Sequence, residues 1–183
     1  MFELVKEFED EISSWFGASH GIAVDSCTHG IELCLRLNNA EKISVPKRTY
    51  ISIPFLANKL NLPLEWTDEE WQDYYYLGGT SIIDAAVLSF QYQKHLSLGR
   101  GGMILTDDPD AAQELKKMSY DGRLPDKPWR EQDILSYGYH YYMTPETALK
   151  GLNKLDDAIS KDPKKWDFYD WPDLTQMHVF KNA

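Results

Sequence analysis

Apolar residues at Phe2, Val5, Phe8, Ile12 and Trp15 recur every three or four positions, the spacing of one helix face, and Gly17 marks the end of that helix. "GIAV" (21–24) is a short apolar run and predicts a strand. Asp25, Ser26 and Thr28 then lead into "HGIELCLRL" (29–37), a helix that Ser26 or Thr28 is placed to cap. "KISV" (42–45) is the next strand, closed by Pro46, and "ISIPFLANKL" (51–60) is helical, with Pro54 tolerable in its first turn. "LPLEW" (62–66) predicts a strand and "TDEEWQD" (67–73) a turn or short helix. "YYYL" (74–77), "SIIDAA" (81–86) and "MILT" (103–106) are further extended segments. "DPDAAQELKKMSYDG" (108–122) begins acidic, turns basic and ends on glycine, as the helix dipole favours. "TPETALKGLNKLDDAI" (144–159) has Thr144 at the N-cap and Pro145 at the first helical position.

Strands and helices alternate through the first half, which predicts an α/β domain with a mostly parallel sheet flanked by helices. Residues 1–160 form that domain, and the proline- and aromatic-rich stretch 161–183 is an arm lying on this or another subunit. The chain has 183 residues, 43% of them hydrophobic and 26% charged, a composition of folded rather than disordered chains. Its 29 acidic and 19 basic residues give a net charge of −10, which argues against a nucleic-acid partner. Cys27 and Cys34 suggest neither a metal site nor a disulfide framework, and reduced thiols point to the cytoplasm. The acidic, amphipathic N-terminus lacks the features of a signal peptide, and no apolar run approaches the roughly 18 residues that span a membrane.

In such folds ligands bind beyond the carboxyl ends of the strands. Three groups fall there. "VDSCTHG" (24–30) carries a strand into a helix through small polar residues, so the helix start offers free N–H groups for a phosphate, although any capped loop looks similar. Asp84 follows an apolar run, where an acid caps a helix, forms an ion pair or faces a protonated ring nitrogen. Ser89 and Lys94 lead out of a strand, and "GRGG" (99–102) turns the chain into the next. A lone lysine is ordinarily a solvated surface residue. A phosphate cup, a strand-end aspartate, a serine, a lysine and a glycine turn, in that order, match pyridoxal 5'-phosphate (PLP) enzymes.

These residues resemble the DegT/DnrJ/EryC1/StrS sugar aminotransferases, a branch of the fold-type I PLP enzymes, from about Val5 to Asp157. The family's Ser-Gly-Thr turn resembles Ser26, Cys27 and Thr28; its P…TY segment resembles Pro46, Thr49 and Tyr50. Its EDAA resembles Ile83 to Ala86, and its SF…K…GEGG resembles Ser89, Phe90, Lys94, Gly99, Gly101 and Gly102. Its segment before the next helix resembles Gly138 to Met143. The resemblance implies that Lys94 bonds covalently to the cofactor and carries protons, while Asp84 keeps the ring nitrogen protonated. It implies phosphate contacts from Ser26, Cys27, Thr28 and Ser89, stacking by Tyr50, and a contact from His140. The implied reaction moves an amino group from glutamate or glutamine to a nucleotide-linked keto sugar, in a cytoplasmic homodimer. The alternatives are a non-catalytic PLP- or sugar-nucleotide-binding protein or partner subunit on the same fold, and a plain scaffold. Arg48, Arg100 and Arg123 are candidates for anionic substrate groups, with surface solvation the ordinary role of each.

The sequence departs from the family at defined positions. Cys27 replaces the glycine of the phosphate turn, and Val87 stands where His or Gln follows the aspartate. His140 and Tyr142 stand where Asn and Arg reach the neighbouring subunit's phosphate. Asp84 and Ser89 are five residues apart, whereas a parallel crossover needs roughly a dozen. Either Asp84 lies away from the ring nitrogen, the sheet is rebuilt, or residues are absent between them. The chain is about half the family's usual length, so the resemblance implies a shortened form without most of the C-terminal domain.

Overall fold

The structure is a computed structural model that describes residues 2–68, 80–82, 85–162 and 167–181. Helix α1 (Glu3–Phe16) ends at Gly17, whose φ of 70° is the left-handed conformation a helix C-cap adopts. Strand β1 (His20–Val24) feeds α2 (Cys27–Leu37); β2 (Ile43–Pro46) feeds α3 (Ser52–Leu60), and β3 (Leu64–Thr67) follows. Then come β4 (Thr80–Ile82), β5 (Ala85–Ser89), β6 (Gly102–Thr106), α4 (Pro109–Ser119) and α5 (Pro145–Ile159). Asp108 caps α4 by accepting from Asp110 and Ala111 N–H, and Thr144 caps α5 by accepting from Thr147 N–H.

The α/β class expected from the sequence holds, but the mostly parallel sheet does not. The main sheet runs β1–β6–β5–β4, and all three of its pairings are antiparallel. Among the described residues β2 and β3 form the one parallel pair, in a separate two-stranded sheet. Strand β4 ends at Ile82 and β5 starts at Ala85, and the two pair antiparallel, because so little chain between them cannot make a parallel crossover; Ile83 and Asp84 of "SIIDAA" lie outside the described residues.

Helices cover both faces of this sheet, and the alternation along its strands sorts the core. Ala23, Leu88, Met103 and Leu105 face one side, packed with Val5, Phe8 and Ile12 of α1 and Ala148 and Leu155 of α5. Ile22, Val24, Val87 and Ile104 face the other, packed with Ile31 and Leu33 of α2, Leu115 of α4, and Val45 and Leu56 of the β2–α3 unit. Two close approaches need glycine. A Cβ on Gly151 of α5 would lie 2.5 Å from the Phe8 ring, and one on Gly30 of α2 would lie 2.7 Å from Val87 Cγ1.

The described part of the arm lies on this same chain. Leu174 N–H donates to the Lys47 carbonyl at 2.8 Å, and the Arg48 guanidinium donates to the Trp171 carbonyl at 2.6 Å. Phe180 is buried against Phe55 and Trp66. The "TDEEWQD" and "YYYL" expectations fall mainly on residues 69–79, outside the described residues. No helix among the described residues is long and apolar enough to cross a membrane.

Candidate functional site

The site grows from the junction of β1 and α2. Ser26, extended at φ −162° and ψ 151°, is the N-cap, and its Oγ accepts from His29 N–H at 3.3 Å. Of the two sequence candidates for this cap, Ser26 takes the role. Thr28 lies inside the first turn instead, and its Oγ1 is 2.7 Å from Ser52 Oγ at the start of α3. Among the described residues no acceptor meets the Cys27 or Thr28 N–H, so both stay open at the positive end of the helix dipole.

Cys27 occupies the position of a glycine without blocking this turn. Its Sγ lies 3.7 Å from the Val87 carbonyl of β5, which takes the side chain beneath the turn. Burial pushes the Cys27 thiol up to about 12, and the nearby Lys94 charge pulls the other way. The loop that carries Lys94 is tied to this turn by Arg100, which donates to Asp25 just before the cap, and so joins two segments the sequence singled out separately.

Lys94 is half-buried in the loop 90–101 between β5 and β6. The loop is closed at its neck: Phe90 N–H donates to the Gly101 carbonyl at 3.0 Å and Leu98 N–H to the Phe90 carbonyl at 2.9 Å. Lys94 N–H itself donates to the Gln91 carbonyl at 2.8 Å. Buried Leu96 and Leu98 anchor it in the core. Below the neck, Ser89 stands opposite Gly102 in the β5–β6 ladder. A Cβ on Gly102 would sit 2.5 Å from Cys27 N, so β6 presses directly against the turn. Ser26, Cys27, Ser89 and Gly102 thus lie together in one patch, and the loop that carries Lys94 leaves from Ser89 and returns at Gly102.

The other candidates lie at its edge or away from it. Tyr50 opens the turn before α3 and is 46% exposed, and its ring meets Trp171 edge-on at 5.9 Å. His140 is exposed, with Nδ1 3.1 Å from Asp121 Oδ2, and is not brought to the patch within this chain. Asp84 lies outside the described residues.

Sequence reasoning missed Asp25 and His29, which the fold brings to the same turn. His29 Nδ1 lies 2.6 Å from Asp25 Oδ1, and Arg100 donates to Asp25 Oδ2 at 2.6 Å and to its carbonyl at 3.1 Å. The Tyr141 ring stacks on His29 at 3.7 Å and 9°. The readable signal was the i, i+4 spacing of Asp25 and His29 across a helix start. Behind them, fully buried Glu32 meets Lys59 at 2.7 Å and Arg36 at 2.8 Å. Burial alone would raise the Glu32 carboxyl, but the hydrogen bonds and charges of Lys59 and Arg36 outweigh it and hold it below its ordinary value. No group of three or more potential metal ligands occurs among the described residues.

Comparison with known proteins agrees with this architecture. The UDP-4-amino-4,6-dideoxy-N-acetyl-beta-L-altrosamine transaminase of Campylobacter jejuni (strain 81-176) is 26% identical over 130 residues, 68% of this chain and 34% of that protein. Among solved structures, Helicobacter pylori PseC, an aminotransferase involved in the biosynthesis of pseudoaminic acid, matches with a TM-score of 0.68 at 16% identity, over 84% of this chain and 57% of that one. A Streptococcus pneumoniae protein assigned as a sugar aminotransferase, in its PLP form, matches with a TM-score of 0.73 at 18% identity, over 86% and 60% of the two chains. At these identities the structural likeness establishes the fold. The chain spans about a third of the curated transaminase it matches. The model of the DegT/DnrJ/EryC1/StrS aminotransferase family matches residues 1–62 and 70–173, and the chain belongs to that family.

Proposed function

We propose that this protein is a PLP-dependent aminotransferase that moves an amino group from glutamate or glutamine to a nucleotide-linked keto sugar. The observation that carries this reading is the seating of Ser89 and Gly102, the strand ends that hold the Lys94 loop, against the first turn of α2 with its two open N–H groups. The residues present fit the cofactor. A capped helix start lies beside the strand end that bears Ser89 and leads to Lys94, and Gly102 lets β6 close against the turn where any Cβ would collide. Ser26, Cys27, Thr28 and Ser89 hold the phosphate, the first three chiefly through the start of α2. Cys27 serves by its backbone, since its thiol faces Val87. Lys94 is the covalent anchor and the group that carries a proton at Nζ. Asp84 is proposed to pair with the ring nitrogen, and Tyr50 to close the open side of the patch. PLP, when bound, supplies the electron sink that makes amino transfer accessible.

Support for the substrate class comes from family membership and from the curated transaminase, whose name specifies a UDP-linked amino sugar. The proposed organisation is a 1–160 cofactor domain with a 161–183 arm, in a cytoplasmic homodimer. Leu135 and Tyr137, 86% and 93% exposed, offer apolar contact area near His140, which is proposed to reach the partner's phosphate. A second reading, a cofactor- or sugar-nucleotide-binding protein without transfer activity, is favoured by the antiparallel pairing of β4 with β5, which leaves no parallel crossover before Ser89. The experiment is to load the protein with PLP and add glutamate. The first reading expects loss of the bound-cofactor absorption and stoichiometric 2-oxoglutarate. Cofactor bound at Lys94 with no keto acid released would leave the second.

A further inference from the structure

The phosphate turn contains an apparent electrostatic fault. Asp25 immediately precedes the cap, and its Oδ1 lies 3.3 Å from Ser26 Oγ. A carboxylate there sets a negative charge beside the N–H groups that would receive a dianion, and like charges at such range weaken binding. Both of its oxygens are engaged, Oδ1 from within the first turn of α2 and Oδ2 from the glycine turn before β6. His29 Nδ1 holds Oδ1 at 2.6 Å, and the Arg100 guanidinium holds Oδ2 at 2.6 Å while its Nε donates to the Asp25 carbonyl at 3.1 Å. The Arg100 contact has a fixed geometry, with two nitrogens of one planar group on side chain and backbone of one residue. Arg100 belongs to the glycine turn between Lys94 and β6, with Gly99 at φ 93° and Gly101 at φ 144° on either side, both left-handed. The turn therefore delivers a cation to the end of β1 from the loop that carries the lysine.

We propose that Arg100 is a specificity-determining residue of this site: by neutralising Asp25 it makes the start of α2 accept the phosphate group, and so makes the site prefer PLP to unphosphorylated pyridoxal. This rests on the cofactor reading above. His29, fixed on Asp25 and against Tyr141, assists from the other side of the carboxylate. Tyr142 cannot contribute charge, and its ring packs in an aromatic group with Phe2, Tyr120 and His140. Arg100 is 65% exposed, so its effect is partly screened and weakens with salt.

The test is a charge-compensation cycle with Arg100→Gln, Asp25→Asn and the double variant. PLP and pyridoxal are each titrated against the protein at low salt, with covalent capture at Lys94 read by borohydride reduction and mass spectrometry. In Arg100→Gln, PLP uptake should fall about tenfold while pyridoxal uptake changes less than twofold. Adding Asp25→Asn should return PLP uptake to within about threefold of wild type, because the charge needing compensation is gone. Arg100→Lys should keep most of the preference. Equal losses for both aldehydes, or no recovery in the double variant, would overturn the proposal. If wild type captures neither aldehyde on Lys94, the cofactor reading fails and a second arm decides the charge proposal by itself. Inorganic phosphate is titrated while the Cys27 and Thr28 amide resonances are followed. Weaker phosphate binding in Arg100→Gln, restored in the double variant, supports the proposal; unchanged binding across the set, or none in wild type, overturns it.

Discussion

Replacing Gly102 with alanine tests whether β6 sets the shape of the phosphate turn. The added Cβ would lie 2.5 Å from Cys27 N, 2.6 Å from Ser26 C and 2.9 Å from Cys27 Cα. Non-bonded heavy atoms settle at roughly 3.5 Å, so the contact is short by about 1 Å. All three atoms belong to backbone, and no flexible side chain can swing away. Either β6 or the first turn of α2 must move, and overpacking of this kind costs about 1–3 kcal/mol. A displacement of that size also misplaces the N–H groups that are proposed to receive the phosphate. PLP affinity should therefore fall about tenfold or more, beyond the loss of stability. Urea denaturation gives the stability change and PLP titration of the folded variant gives the affinity. Gly17→Ala is the control: its φ of 70° imposes backbone strain, but nothing lies within 4 Å of its Cβ. It should cost about 1 kcal/mol and leave PLP uptake unchanged. Wild-type stability and cofactor affinity in Gly102→Ala would refute the packing argument.

Two further outcomes follow from the charges and thiols around α2. Glu32→Gln should destabilise the fold by about 1–3 kcal/mol at neutral pH by weakening charge-assisted contacts with Arg36 and Lys59, read as a lower urea midpoint. The native Glu32 carboxyl titrates below its ordinary 4.5, so its stabilising effect is complete above that value and is lost as pH falls through the native one; the variant should lack this part of the acid-induced loss. Burial pushes the Cys27 and Cys34 thiols up to about 12, so iodoacetamide at pH 8 should leave both unmodified in the folded protein and alkylate both in urea. Rapid modification of folded Cys27 would mean that its side chain faces the phosphate turn instead of Val87.

The legible parts of this fold were those fixed by local chemistry. Gly17 ended α1, the acidic start and basic end of α4 followed the helix dipole, and Thr144 with Pro145 opened α5, as a side-chain cap and proline geometry dictate. Ser26 at the start of α2 was legible for the same reason. The direction of the strands was not. Alternation of strands and helices does not encode pairing, and the short spacing of β4 and β5 accounts for their own antiparallel pairing alone. The spacing of Asp84 and Ser89 already held that information, since five residues cannot make a crossover. The Asp25–His29–Arg100 group was also hidden. Its members lie on β1's exit, α2 and a loop 75 residues away, and only the β1–β6 pairing brings that loop to Asp25. Lys94 and Cys27 were each visible in the sequence, but the packing of Gly102, at the end of the Lys94 loop, against Cys27 is a tertiary fact.

The central claim is that the Lys94 amine is held where an aldehyde bound at the start of α2 must meet it. Incubating the protein with PLP, reducing with borohydride and mapping the modified peptide measures this directly. The account predicts a single phosphopyridoxyl adduct on Lys94, absent in Lys94→Met. An adduct spread over surface lysines, or one that persists elsewhere at equal yield in Lys94→Met, would contradict it.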